Sequence, residues 1–311
     1  MAKVFDVAII GGGPAGMNAA IYASRRNMSV VVLEGKIFGG AVAETPKIEN
    51  WLGEKKISGI ELSKKFEEHM RTFPVNVVQE RVESIEKQSD ANFLVTTVAD
   101  SHVEAKSVIL AMGASFKTIG APGEKEFSGK GVSYCATCDA PFFKGKKVAV
   151  IGGGDSAVKT ALYLCEIASE VHVVHRRDEF RAEERLVEEL KEFEKEGRVV
   201  LHLSRVVSEI KGEKFLKSVV LQDVNSKAKE EVFLDGLFIY IGNIPATVLA
   251  KNLGVKVNEK GFVECNEKQA TNVDGVFAAG DVTGKGMQIV TAAAQGYAAS
   301  LSAYSYVRKR T

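Results

Sequence analysis

A chain of 311 residues, 45% hydrophobic and 26% charged, has material for two folded domains, and its formal net charge of +1 provides no global field for nucleic acid or an acidic membrane surface. Four cysteines in that length exclude a secreted disulfide scaffold, and Cys165 and Cys265 read as small buried apolar residues. Residues 1–7 run straight into a strand with no leader pattern, and the weakly polar stretch 287–307 carries Gln288, Gln295, Ser300 and Ser302, which argues against a membrane span; a cytoplasmic enzyme is expected.

In chain order, residues 6–10 are an apolar β run ending on Gly11-Gly-Gly-Pro-Ala-Gly16. Helical spacing follows over 19–26 and a β-rich run over 29–33. Residues 75–82, 93–98 and 108–111 alternate as strands do. The pattern then recurs: Lys147-Val-Ala-Val-Ile-Gly-Gly-Gly-Asp-Ser-Ala157 aligns with Asp6-Val-Ala-Ile-Ile-Gly-Gly-Gly-Pro-Ala-Gly16 at an offset of 141 residues. A helix over 157–167, a strand over 170–174 and a charged helix over 183–196, with Leu186, Leu190 and Phe193 on one face, come next. Further β-rich runs lie at 199–203, 218–222 and 237–241. Residues 275–281 read as a strand entering a loop, and a helix of small residues follows through Ala292, Gly296 and Ala299.

Two βαβ units of this kind predict an α/β fold with two Rossmann-like, three-layer ββα dinucleotide-binding domains. The simplest arrangement inserts the second (115–244) into the first (1–114 and 245–311). The crossings fall near 114–117 and 242–245, where Pro245 biases Ile244 away from helix.

The two glycine turns differ in charge. Gly11-x-Gly13-x-x-Gly16 permits a tight turn, close approach of a pyrophosphate, and close helix packing, with Pro14 and Ala15 opening the helix. Glu34 ends the next strand, 23 residues after Gly11, where a carboxylate accepts from ribose hydroxyls; this suits an unphosphorylated adenosine such as that of FAD. In Gly152-x-Gly154-Asp155-Ser156-Ala157 the matching position is His175, followed by Arg176, Arg177 and Arg181. A histidine with guanidinium forks attracts and hydrogen-bonds a 2′-phosphate that a carboxylate would repel, so the second site suits NADP. A basic patch balanced by Asp178, Glu179, Glu183 and Glu184 is the plainer alternative.

Cys135-Ala-Thr-Cys138 reads as a redox pair, because two intervening residues let the sulfurs close a small ring and reopen it. Structural zinc would need two more ligands nearby, and a pair of inert buried cysteines is the other alternative. Asp139 follows the pair and can hand protons to a thiolate, or can serve as a helix cap.

Together these residues resemble the low-molecular-weight thioredoxin reductases of bacteria and archaea, nearly end to end. The most specific parts are Ser133-Tyr-Cys-Ala-Thr-Cys-Asp139, Gly152-Gly-Gly-Asp-Ser-Ala157, His175-Arg-Arg-Asp-Glu-Phe-Arg-Ala182, Glu49-Asn50 with Gly53, and Ala279-Gly-Asp281 before Gln288. The resemblance implies an FAD domain built from both termini, an NADPH domain carrying the dithiol, and a homodimer. It implies electron flow from NADPH through FAD and the dithiol to thioredoxin or a related redoxin, with no metal, and a rotation of the domains that exposes the dithiol. By the same analogy Cys138 faces the flavin, Cys135 attacks the partner and Asp139 supplies protons. Glu34, Gly35, Gly39, Gly40, Ala41 and Asn50 would lie along FAD. So would Val82, Ala111, Gly113, Gly280, Asp281, Gln288 and Ile289. Ala41, Met112, Ala140 and Met287 stand where the family usually has Gln, Thr, Gly and Arg. Alternatives from the family are a glutaredoxin-like partner, or NADH, ferredoxin or a deazaflavin as donor; a non-catalytic nucleotide-sensing module comes from another class.

Overall fold

Strands reading Val-Ala-Ile-Ile, Val-Val-Val-Leu and Val-Ala-Val-Ile have no polar face, so they must be covered on both sides. The computed structural model, which describes residues 4–45 and 48–310, covers them so in two compact units, Met1–Ser115 with Ile244–Thr311 and Phe116–Asn243. Met1, Ala2 and Lys3 of the N-terminal run lie outside the described residues.

The first unit opens with β1 (Val4–Phe5), β2 (Val7–Ile10), α1 (Pro14–Ser24), β3 (Val30–Leu33), α2 (Gly59–Arg71) and β4 (Val75–Val78). It continues through β5 (Val82–Lys87), β6 (Phe93–Thr97), β7 (His102–Ala105), β8 (Val108–Leu110) and β9 (Ala114–Phe116). The second unit holds β10 (Val132–Ser133), α3 (Ala136–Asp139), β11 (Lys147–Ile151), α4 (Asp155–Cys165), β12 (Glu170–His175), α5 (Glu184–Lys195) and β13 (Val199–Leu203). It is completed by β14 (Arg205–Gly212), β15 (Leu216–Asp223), β16 (Lys229–Phe233) and β17 (Gly236–Ile239). The chain returns through β18 (Asn243–Pro245), α6 (Val248–Asn252), β19 (Val276–Ala278) and α7 (Ile289–Arg310).

The first unit has a parallel sheet in the order β19-β8-β2-β3-β4. Val7, Ile9, Val30 and Val32 pack on the side of α1 and α7, while Ala8, Ile10, Val31 and Leu33 pack toward Ile85, Phe93, Val95 and Val103 of the β1-β7-β6-β5 layer. The second unit repeats this with the parallel order β10-β17-β11-β12-β13. Val148 and Val150 face α4 and α5, and Ala149 and Ile151 face the antiparallel β14-β15-β16 layer. Each unit is therefore a helix layer, a parallel sheet and a β layer. In each, the order reverses at the strand that feeds the glycine turn, β2 or β11, which opens a crevice beyond its carboxyl end.

Some local expectations shift. Helix α1 starts at Pro14, ahead of residue 19, because proline at the first position removes only an amide that would be orphaned anyway. Strand β14 buries only Val207 and Ile210 and the charged β16 (Lys229-Glu-Glu-Val-Phe233) only half-buries Val232, so both left little apolar signal. Cys165 is buried, but Cys265 is only half-buried, on a loop. No helix among the described residues is long and apolar enough to cross a membrane.

Helices α1 and α7 approach closely because they meet through small residues: Ala15, Ala19 and Ala23 against Ala292, Gly296 and Ala299. A side-chain carbon at Gly296 would lie 2.1 Å from the Ala15 carbonyl oxygen. Gly296→Ala should thus push the helices apart and destabilise the protein by about 2 kcal/mol or more. The check is a lowered urea midpoint with an unchanged slope.

Candidate functional site

The first crevice is shaped by absent side chains. A carbon on Gly16 would sit 1.9 Å from the Gly11 carbonyl oxygen, so only glycine lets α1 begin against β2. Gly11 has φ +108° and packs over the Ala111 carbonyl. At Gly13, which precedes α1, an added carbon would meet nothing within 4 Å, which leaves the helix N-terminus open to an anion. Glu34 is held in place by backbone: Oε2 accepts from Gly12 N–H at 2.6 Å and Oε1 from Lys36 N–H at 2.7 Å. A carboxylate has about four acceptor directions, so two remain for ribose hydroxyls.

Gly39 N–H donates to the Gly12 carbonyl at 2.8 Å, and a carbon on Gly40 would come 3.7 Å from Gly13 Cα. The Gly39–Gly40 bend therefore lies beside the turn, and Ala41 is exposed next to it. Gly35 closely faces Arg81. Asn50 Nδ2 donates to Gln288 Oε1 at 3.2 Å, joining its loop to the start of α7 at Ile289. Gly280 N–H donates to Gln295 Oε1 at 2.7 Å, and the following Asp281 carboxyl is pushed above its ordinary value by burial. Val82 opens β5 and is buried in the core, and Gly113 accepts from Ala246 N–H with open space beside it. An open helix N-terminus, an anchored carboxylate and a half-buried acid fit the pyrophosphate, ribose and polyol parts of FAD.

The second turn repeats the geometry. Gly152 has φ +147°, and a carbon there would lie 2.4 Å from the Tyr240 carbonyl oxygen and 2.7 Å from Ala157 Cβ. Gly154 is as open as Gly13. Asp155 opens α4, its Oδ1 accepts from Glu183 N–H at 3.0 Å, and Ser156 is exposed beside it. Arg181 N–H donates to the Gly153 carbonyl at 2.7 Å, which draws the 176–183 loop to the turn. Arg176, Arg177 and Arg181 are exposed and form no ion pair among the described residues, so the neighbouring acids do not neutralise them by contact. His175 is buried beneath Gly153 and stacks on Phe180 at 5.7 Å. Burial and the three arginines lower its pKa, and its Nε2 has no hydrogen-bond partner among the described residues. The arginines, not the imidazole, are thus the groups that an incoming phosphate would meet.

Cys135 and Cys138 form a disulfide with Cα atoms 5.3 Å apart. The short α3 turn holds them, since Cys138 and Asp139 N–H both donate to the Cys135 carbonyl, at 3.2 and 3.1 Å. Tyr240 Oη accepts from Ala136 N–H at 2.8 Å. Ser133 Oγ donates to Asp139 Oδ2 at 2.6 Å and accepts from Cys135 N–H at 3.1 Å. Burial raises the Asp139 pKa, and the Ser133 hydrogen bond opposes it. Upstream, the buried Glu124 carboxylate accepts from Tyr134 Oη at 2.7 Å and from Ile119 and Gly120 N–H at 3.1 and 2.8 Å. Burial and then Glu124 push the Tyr134 phenol far above its ordinary pKa, and Phe116 stacks on its ring. Among the described residues no cluster of His, Cys, Asp and Glu could hold a metal ion. Sequence reasoning did not find Glu124, Tyr240 or Gln295: Tyr240 reaches the Ala136 amide from 104 positions away, and Glu124 and Gln295 bond nearby amides without belonging to a motif.

Residues 5–296 match the pyridine nucleotide-disulphide oxidoreductase family. The chain is 43% identical to the thioredoxin reductase of Bacillus subtilis over 309 residues, 99% of this chain and 96% of that one. It is 38% identical to the thioredoxin reductase of Peptoclostridium acidaminophilum over 99% of this chain and 98% of that one. The crystal structure of thioredoxin reductase from Streptococcus pyogenes superposes with a TM-score of 0.92 at 38% identity, covering 99% of this chain and 100% of that one.

A carboxyl whose pKa is raised on folding contributes stability below its unfolded value and loses it as pH rises through the folded value. Ionised Asp139 therefore costs stability at neutral pH. Asp139→Asn, which still offers Ser133 an acceptor, should raise the urea midpoint at pH 7. That gain should vanish below about pH 4, where the acid is protonated in both states.

Proposed function

The chain belongs to the pyridine nucleotide-disulphide oxidoreductase family, and on that premise we propose that it is a thioredoxin-disulfide reductase driven by NADPH through FAD. The observation that carries this reading is the Cys135–Cys138 disulfide with a half-buried carboxyl on the next residue, its pKa raised by burial. The first unit is assigned to FAD and the second to NADPH, supported by the anchored Glu34 carboxylate in one and the unneutralised arginines in the other. The oligomer is proposed as a homodimer and the compartment as the cytoplasm, as the family resemblance of the sequence implies.

A bound FAD would supply two-electron transfer between a nicotinamide and the disulfide. The protein does the rest. The open N-termini of α1 and α4 receive the pyrophosphates of the two nucleotides. Arg176, Arg177 and Arg181 hold the 2′-phosphate through charge-assisted hydrogen bonds. Two electrons and the Asp139 proton convert the Cys135–Cys138 disulfide into the Cys138 thiol and the Cys135 thiolate, and Asp139 regains its proton from solvent. The Cys135 sulfur, as thiolate, attacks the partner disulfide and forms a mixed disulfide. Cys138 gives its proton to the first partner sulfur released and displaces the second, so that the Cys135–Cys138 bond re-forms and the partner leaves as a dithiol, its other proton coming from solvent. Thioredoxin is chosen over a glutaredoxin-like partner on the names of the relatives.

The test is an anaerobic titration of the flavin-loaded protein with NADPH, NADH and reduced ferredoxin, followed by addition of oxidised thioredoxin. NADPH should bleach the flavin and thioredoxin should restore it; preference for another donor overturns the donor assignment. Cys138→Ser should still bleach with NADPH while losing thioredoxin reduction by more than about a thousandfold. Arg176→Ala combined with Arg181→Ala should raise KM for NADPH by about tenfold or more and leave KM for NADH unchanged. Asp139→Asn should lower kcat by about a hundredfold.

A further inference from the structure

The best-connected small side chain near the dithiol is one the mechanism has not used. Ser133 ends β10, two residues before Cys135, and is 5% exposed. Its oxygen lies 2.6 Å from Asp139 Oδ2, 3.1 Å from the Cys135 amide nitrogen and 3.4 Å from the Cys135 carbonyl oxygen. The amide can only donate, so the hydroxyl accepts from it. The single hydroxyl proton must then choose between the Asp139 carboxylate and the Cys135 carbonyl. With Asp139 ionised it points to the carboxylate, the stronger acceptor. With Asp139 protonated, the acid proton can donate to Ser133 Oγ, and the hydroxyl turns to the carbonyl of the cysteine itself.

Ser133 is the one hydrogen-bond partner of the Asp139 side chain among the described residues. The other polar groups around the loop are otherwise committed. Glu124 is taken by Tyr134 Oη and two backbone amides, and Tyr240 Oη by Ala136 N–H. Neither the aim nor the proton of Asp139 is set by another side chain of the loop.

We infer that Ser133 is a positioning residue for proton delivery to the dithiol: its hydroxyl aims the Asp139 carboxyl and reverses direction each time that acid loses or regains its proton. This rests on the reading of Asp139 as the proton source. In the step, the S–S bond breaks as the electron pair arrives, and one sulfur takes the Asp139 proton. The hydroxyl of Ser133 then turns its proton onto the new carboxylate. Solvent later returns a proton to Asp139, and the hydroxyl turns back.

The pH profile of kcat for NADPH-driven thioredoxin reduction by the flavin-loaded full chain tests this. Without the hydroxyl the carboxyl loses the bond that favours its ionised form, so its pKa rises. Ser133→Ala should move the alkaline limb up by about one pH unit, lower kcat on the plateau by about tenfold, and leave KM for NADPH unchanged. Ser133→Thr should restore both limb and plateau, whereas Ser133→Val, matched to threonine in shape, should not. A uniform loss of rate with an unmoved limb, or equal behaviour of the valine and threonine variants, overturns the inference. Should Ser133→Ala fail to fold, the threonine and valine pair decides alone. Asp139→Asn separates the two claims. If it abolishes the alkaline limb while the Ser133 variants leave the limb in place, the positioning role falls and the acid stands. If it keeps both rate and limb, the acid reading falls and the inference falls with it.

Discussion

Each unit depends on one close approach between the first and last positions of its glycine turn. In the first unit α1 can begin against β2 only because Gly16 has no side chain to strike the Gly11 carbonyl, 1.9 Å from where its carbon would be. In the second, Ala157 keeps its methyl because Gly152 has none. Once the helix is drawn in, its first amides stand free at the reversal point of strand order, and a phosphate finds both donors and a favourable dipole there. The doubly covered sheet supports the crevice from below, since β2 and β11 are buried on both faces and have no freedom to shift.

The polar groups beside the crevices and the dithiol are held against their own solvation. Asp139 and Asp281 are kept from ionising readily by burial, and His175 is kept neutral under Gly153 by burial and by three arginines. Such groups lower the stability of the fold and are retained where charge has to be handled. The two units do this differently. The first anchors an acid to backbone amides, which leaves Glu34 ready to accept hydroxyl hydrogens. The second leaves three exposed guanidinium groups without an ion pair among the described residues and buries the imidazole. A duplicated scaffold thus carries opposite local charge at the same topological position.

Much of this was legible in the chain. The 141-residue offset between the glycine turns shows the duplication directly, because strand, turn and helix each need a distinctive local composition. Glu34 and the Arg176–Arg177–Arg181 group could be found by counting from the glycines, since the βαβ length is set by helix and strand geometry. Cys135 and Cys138 announce themselves by spacing. Strands β14 and β16 were hidden because a strand with one wet face can be mostly charged, and His175 looked like a phosphate ligand because its burial cannot be seen in one dimension.

The sequence by itself determined the fold class, the positions of the two glycine turns and the cysteine pair, all of which rest on short-range patterns of size, charge and spacing. Only the tertiary structure decided what surrounds the pair: Ser133 turned onto Asp139, Tyr240 brought from 104 positions away to the Ala136 amide, and Glu124 closed over Tyr134. Hydrogen bonds of that kind act over about 3 Å and are indifferent to distance along the chain. The Tyr240 bond exists only after β10 has paired with β17, which brings the two strand ends together.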